Sequence, residues 1–151
     1  GEYWPIRPLA TCTVWIAVDA ATRANGCLRL IPGSHKAKHL GQHRTNEGGN
    51  LTLNQELLNS EFNEEDAIDL VLESGQMSLH DIYIVHGSSE NNSENSRRGL
   101  TLRYFPTTSV FDRKLATELA VAGNFLDHKD RTLFLMRGDD RSGQNDFRLR
   151  W

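Results

Sequence analysis

The sequence predicts an all-β fold with minor helices, and three observations carry that expectation. Short apolar stretches alternate with a period of 2 and are rich in β-branched residues. Turn residues such as Asn25-Gly26, Pro32-Gly33 and Ser74-Gly75 separate those stretches. Strands do not alternate with long helical patterns, so nothing indicates a parallel βαβ sheet. The architectures that remain are a sandwich, a barrel or a jelly roll.

Each element has its own reason. Residues 11–19 read TCTVWIAVD, with Cys12, Val14, Ile16 and Val18 on one face and Thr11, Thr13, Trp15 and Ala17 on the other. That alternation predicts a strand, and CLRLI at 27–31 predicts a second. Together with the polar link between them, residues 11–31 read as a strand-loop-strand unit. Residues 34–66 are long, polar and irregular, with a short helix expected near 54–59; loops of this length often serve as lids or binding loops. AIDLVLE at 67–73 is a third strand. QMSLHDIYIV at 76–85 is a fourth, with a break expected near His80-Asp81. Residues 86–96 are rich in Asn and Ser and read as a loop. RRGLTLRYF at 97–105 is a fifth strand, closed by Pro106. A short helix is expected at 115–122 and a last strand at 132–136.

Composition limits the function. The chain has 151 residues, 17 Lys+Arg against 20 Asp+Glu, and a net charge of -3. That suits one domain with a real core, and argues against nucleic acid or an anionic membrane surface as the main partner. No apolar run approaches the ~20 residues that span a bilayer. Cys12 and Cys27 both sit in apolar stretches and read as small buried hydrophobes, in keeping with a reducing, cytoplasmic compartment.

Phosphate-loop, nucleophile-elbow, HExxH and CxxC patterns are all missing from the sequence. The informative stretch is 77–105. It sets His86 at the end of an apolar strand and Arg97-Arg98 eleven residues on, at the start of the next. If those strands form an antiparallel pair, the two ends lie close together. A neutral imidazole can ligate a first-row metal, and a guanidinium fork can grip a carboxylate at two points. Spacing alone is explained as well or better by a turn histidine and two solvated arginines.

The wording of the sequence adds to this. HGSSENNSENSRRGLTLRY (86–104) resembles the signature of the phytanoyl-CoA dioxygenase family, Fe(II)/2-oxoglutarate oxygenases on a double-stranded β-helix, or jelly roll. ANGCLRLIPGSHK (24–36), TVWIAVDAAT (13–22) and YWPIRP (3–8) resemble three further family blocks, in the family's order. The resemblance implies His86 as a metal ligand and Arg97 as the anchor of the far carboxylate of 2-oxoglutarate, with Arg98 as the alternative. It implies Ser88 as an assistant at that carboxylate and Trp15 as a wall of the cofactor pocket. Alternation divides the two arginines: burial of the Leu100/Leu102 face favours Arg98, whereas a pocket with small, polar neighbours favours Arg97.

The implied cofactors are Fe(II) and 2-oxoglutarate, and the implied partners are O2 and a small-molecule substrate. The implied outcome is hydroxylation with release of succinate and CO2. Related enzymes also halogenate, a reaction that requires the ligand carboxylate to be absent. The family's first His-x-Asp motif has no counterpart in the chain; His128-Lys129-Asp130 has the right chemistry at the wrong place. Residues 1–151 are therefore expected to be the C-terminal part of one jelly-roll oxygenase domain, with 34–66 a long loop and 111–151 a C-terminal extension. Such a fragment alone is expected to bind iron weakly. The competing reading is a non-catalytic jelly-roll module that binds a small ligand without metal. A third is a cupin-like metal enzyme that does not use 2-oxoglutarate.

The other histidines are weaker candidates. His35, His39 and His43 would align on a helix, but Gly41 and the polar context favour a loop. His80-Asp81 reads equally as a buried structural pair or as a support for the site. Arg103, Arg137 and Arg141 could meet an acidic substrate, but read better as surface or packing arginines.

Overall fold

The computed structural model describes residues 1, 3–46, 48, 55–123 and 126–149. Its strands in chain order are β1 (Ile6–Arg7), β2 (Cys12–Ala17), β3 (Leu28–Leu30), β4 (His43–Thr45), β5 (Gln55–Leu57), β6 (Ile68–Leu70), β7 (Met77–Asp81), β8 (His86–Ser88), β9 (Gly99–Tyr104), β10 (Val110–Phe111), β11 (Phe134–Leu135) and β12 (Arg148–Leu149). One α-helix, α1 (Arg113–Gly123), follows β10, and 3-10 turns occupy Ser34–Ala37, Asn59–Glu61 and Glu64–Asp66.

Two three-stranded sheets have the orders β7-β2-β9 and β6-β3-β8. The remaining strands form the pairs β1-β10, β4-β5 and β11-β12. Successive long strands feed the two sheets in turn: β2 and β3 separate, then β6 and β7, then β8 and β9. A chain that keeps switching sheets this way is winding a jelly roll.

That winding corrects several expectations. Residues 11–31 do form strand, link and strand, but β2 and β3 belong to different sheets. His86 opens a strand rather than a loop, because its segment pairs with β3 at Leu30↔His86 and Leu28↔Ser88. β8 and β9 are not partners, so the antiparallel hairpin that would bring His86 to Arg97 does not exist. The helix expected near 54–59 is replaced by β5 and a 3-10 turn, with Asn54 outside the described residues. β5 pairs with β4 at His43↔Leu57 and Thr45↔Gln55, a tertiary contact that overrides helix propensity. β1, β10 and β12 have two residues each, too few to show a period.

The chain divides into two compact units: Gly1–Val14, Leu79–Ile82 and Leu102–Trp151 form one, and Trp15–Ser78 and Tyr83–Thr101 form the other. In the first, Ile6, Phe111 and Leu133 are buried together, with Trp4, Leu9, Phe105 and Phe147 packed against them. β1 pairs with β10 at Ile6↔Phe111. Asn145 does the work of a further strand there. Its Oδ1 accepts the Phe111 N–H at 2.9 Å, and its Nδ2 donates to Ser109 O at 2.9 Å. Backbone polar groups buried at a short strand need such partners.

In the second unit, β3 is the centre of its sheet, and Leu30 faces Ile68 on one side and His86 on the other. The polar link of residues 20–26 is held by Asn25, only 3% exposed. Its Oδ1 accepts from the Thr22 N–H at 2.7 Å, and its Nδ2 donates to Ala20 O at 2.8 Å and Ser96 O at 3.3 Å. Gly26 follows with φ +74, and a Cβ there would lie 2.4 Å from Ser89 O, so this turn admits only glycine.

Replacing the buried Asn25 by Ala removes its hydrogen bonds to the Thr22 N–H, the Ala20 carbonyl and the Ser96 carbonyl. Each such bond contributes a net of about 0.5–1.5 kcal/mol. Urea denaturation of Asn25→Ala is expected to show a loss of about 2 kcal/mol or more with an unchanged slope.

Candidate functional site

Directly opposed residues of an antiparallel pair share a face. The β6-β3-β8 register therefore puts His86 and Ser88 on one face with Leu28, Leu30, Ile68 and Leu70. The opposite face carries Arg29, Asp69 and Gly87. His86 is exposed, and its Nδ1 lies 2.8 Å from Ile84 O. A carbonyl only accepts, so Nδ1 carries the proton and the imidazole lone pair is on Nε2. This is the tautomer of a metal-ligating histidine oriented by the backbone.

The opposite face is electrostatically closed. Asp69 pairs with Arg23 at 2.6 Å and with Arg29 at 3.2 Å, and Glu64 also engages Arg29. A cavity of about 230 Å³ opens there, lined by Arg23, Gly26, Cys27, Arg29, Asp69 and Ser89. Its arginines are already neutralised, so it has no unmet demand for an anion. Burial pushes the Cys27 thiol up, which makes it an inert small hydrophobe, as the sequence suggests. Cys12 is half-buried.

The two adjacent arginines have different surroundings. Arg98 is exposed and committed to Asp19: its Nε, Nη2 and backbone N–H each donate to that carboxylate at 2.8 Å. The side-chain and backbone hydrogen bonds from Arg98 lower the Asp19 pKa to about 2. Arg97 is half-buried and points the other way, its guanidinium carbon 5.8 Å from the centre of the Trp15 ring. Its charge also reaches the Cys27 thiol, one residue before Leu28, the register partner of Ser88. Among the described residues no carboxylate lies within ion-pair distance of Arg97. Trp15 is locked in turn by Gly99, where a Cβ would lie 2.3 Å from the indole carbons.

The structure thus brings Arg97 and Trp15 together, and sets His86 and Ser88 side by side on β8. The Leu face that argued for Arg98 is turned outward, with Leu100 51% exposed. Asp19 is the residue that sequence reasoning missed; it stands just beyond the β2 alternation, where an acidic residue reads as a strand terminator. The described residues hold no group of three His, Cys, Asp or Glu able to grip a metal, so His86 fits an iron site as one ligand only.

The weaker candidates resolve differently. His128 is buried, stacked on Trp4 at 4.7 Å and 5°, and its Nδ1 accepts from Arg131 Nε at 2.9 Å. It is a packing element of its unit, and the His128-Lys129-Asp130 tripeptide is no ligand pair. His39 lies 3.2 Å from Glu61, His43 is on β4, and His35 is in the 3-10 turn Ser34–Ala37; no helix aligns them. His80 is half-buried on β7, on the same face as Ser78.

Two tests follow. Gly99→Ala forces the Trp15 indole from its seat, with an expected loss of about 1–3 kcal/mol in urea denaturation and a shift in tryptophan emission. Burial holds the His128 pKa below its ordinary 6.5. The unfolded chain then takes up the proton first, so this contribution to stability is full above about pH 6.5 and fades as pH falls. His128→Gln is expected to flatten the decline in melting temperature between about pH 7 and pH 5.

Comparison with known proteins gives the family and the fold. The model of the family described as phytanoyl-CoA dioxygenase (PhyH) matches residues 1–99. A probable phytanoyl-CoA dioxygenase of Caenorhabditis elegans is 29% identical over 104 residues, 68% of this chain and 33% of that protein. The peroxisomal phytanoyl-CoA dioxygenase of Homo sapiens is 31% identical over 107 residues, 68% of this chain and 31% of that protein. The chain thus spans about a third of the length of the curated relatives it matches. Among solved structures, the apo non-heme monooxygenase ThoJ superposes with TM-score 0.62 at 21% identity, covering 97% of this chain and 46% of its own. The epimerase SnoN, solved with Fe3+, α-ketoglutarate and nogalamycin RO, does so with TM-score 0.56 at 19% identity, covering 91% and 52%. These likenesses establish the double-stranded β-helix fold. Strand order, the placement of the sequence blocks and the family match converge: the chain belongs to the phytanoyl-CoA dioxygenase family.

Proposed function

We propose that this chain carries the distal metal ligand and the cofactor anchor of an Fe(II)- and 2-oxoglutarate-dependent dioxygenase that hydroxylates a small organic substrate. One observation carries the reading. Of two adjacent arginines, one is neutralised by Asp19, while Arg97 keeps a half-buried fork beside Trp15 with no carboxylate partner among the described residues. A dicarboxylate cofactor supplies the missing partner.

Each residue then has a task. His86 offers Nε2 to the metal while Ile84 O holds the ring. Arg97 grips the far carboxylate of 2-oxoglutarate, and the Ser88 hydroxyl donates to it. Trp15 walls the anchor and keeps the guanidinium from rotating into water. When bound, the iron and 2-oxoglutarate supply the oxidising chemistry, consuming O2 and releasing succinate and CO2. An iron site needs protein ligands besides His86, and among the described residues no group of three His, Cys, Asp or Glu supplies them. The substrate is a small molecule that reaches the apolar face beside His86.

Anaerobic titration of the full-length protein with Fe(II) and 2-oxoglutarate tests the reading. A weak visible charge-transfer band is expected, absent in His86→Ala. Arg97→Ala is expected to weaken 2-oxoglutarate about a hundredfold, the range for removing one partner of a buried charge pair. Arg98→Ala is expected to leave that affinity within about threefold, as for an exposed pair. No band in folded wild-type protein would favour a binding module that works without iron.

A further inference from the structure

A second concentration of positive charge lies in the unit of Gly1–Val14, Leu79–Ile82 and Leu102–Trp151, and the proposed chemistry does not use it. Arg103 of β9 stacks over the Trp4 indole, its guanidinium carbon 4.2 Å from the ring centre. Arg131 lies over the same indole at 5.4 Å. Two guanidinium groups thus share one aromatic ring. Burial lowers the Arg103 pKa, Tyr3 raises it in part, and the charge of Arg131 lowers it again.

The hydrogen-bond inventory of this cluster is one-sided. Arg103 Nε and Trp4 Nε1 are both buried donors without an acceptor. The side-chain acceptor contact of Arg103 is a long one, Nη1 to Thr11 Oγ1 at 3.5 Å. The Nδ1 lone pair of His128 is taken by Arg131 Nε. Among the described residues no carboxylate stands within ion-pair distance of Arg103 or Arg131. Stacking on indole attracts a guanidinium but uses only its face. The N–H donors lie in the plane of the group and point past the ring, where an acceptor must meet them. Buried donors left unmet are destabilising, and two like charges so close repel. The deficits of the cluster are of one kind, donors without an acceptor, and two of its groups are cations.

We propose that Arg103, Arg131 and the Trp4 indole N–H form a binding site for the oxyanion of a small molecule, a carboxylate or a phosphate. Arg103 provides the fork, Trp4 a single neutral donor beside it, and the exposed Arg131 the entry side. The neutral His128 stacked on Trp4 fixes the indole and adds no charge. The sequence allows Arg103 to meet an acidic substrate but favours a surface or packing role, and it does not connect Arg103 to Trp4 or Arg131, which are distant in the chain.

The donors report on themselves by NMR. In full-length, iron-free protein without 2-oxoglutarate, the Trp4 Nε1–H resonance is identified by its loss in Trp4→Phe, and the Arg103 Nε–H by its loss in Arg103→Lys. Sodium acetate and inorganic phosphate are titrated separately, with chloride holding ionic strength constant. Saturable downfield movement of both resonances is expected with one anion or both, and which anion acts identifies the head group. Arg131→Gln, at an exposed position, is expected to weaken binding about tenfold, as for loss of a charged hydrogen bond. In Arg103→Lys the Trp4 resonance is expected to respond at least about tenfold more weakly, because an ammonium cannot replace the fork. Arg97→Gln is expected to leave the titration unchanged, which separates this site from the proposed cofactor anchor. Resonances of folded wild-type protein that move no more with acetate or phosphate than with chloride would overturn the proposal. So would undiminished binding in both Arg103→Lys and Arg131→Gln.

Discussion

The contact between the Trp15 indole and the bare backbone of Gly99 is the constraint around which the candidate site is arranged. An indole can lie against a neighbouring strand only where no side chain intervenes, and a Cβ at position 99 would overlap the ring. Successive residues of a strand point to opposite faces. Once Gly99 faces Trp15, Arg97 must face it too and Arg98 cannot. Asp19, just past the end of β2, then grips Arg98 by side chain and backbone together. The backbone agrees, with the Val18 N–H donating to Arg98 O at 3.0 Å. Packing on one face and an ion pair on the other therefore specify the same frame.

That frame reverses the usual rule for strands. In the Trp15–Ser78 and Tyr83–Thr101 unit, Met77 and Leu100 are turned outward, while Ser78 and Arg97 are more sheltered. In the other unit Leu79, Leu102 and Tyr104 are outward, while Thr11, Thr13 and Arg103 are sheltered. Within each unit the sheltered positions of these strands thus include polar groups. In each unit the outward apolar side chains are of the kind that folded proteins normally cover.

Much of this was legible in the sequence, and the failures share a cause. The β2 strand was legible because its period-2 pattern reflects two faces in different environments. The turn at Asn25-Gly26 was legible because backbone conformation and close approach at that position admit so few residues. The break after His80-Asp81 showed in the interrupted apolar run. Partnership between strands was not legible: β8 and β9 are neighbours in sequence but not in a sheet, since a jelly roll alternates its sheets. β5 was hidden because three residues carry no period and its pairing with β4 is a tertiary event. The choice between Arg97 and Arg98 was open because alternation names two faces without saying which is sheltered. Asp19, the partner that distinguishes the surroundings of the two arginines, is 79 residues away from Arg98 in the chain.

The ion pair that fixes the frame is also indifferent to protons. Asp19 is held at about 2, and its partner is a guanidinium, so both groups stay ionised from strongly acidic solution through to alkaline. The contribution of a carboxylate with a depressed pKa is present above its ordinary range and fades only as pH falls toward the depressed value. The geometry that presents Arg97 is therefore the same in an acidic vesicle, a neutral cytosol or an alkaline organelle lumen. This ion pair therefore contributes no acid limb to the anchoring proposed for Arg97. The Asp19–Arg98 pair behaves as a permanent fixture rather than a valve.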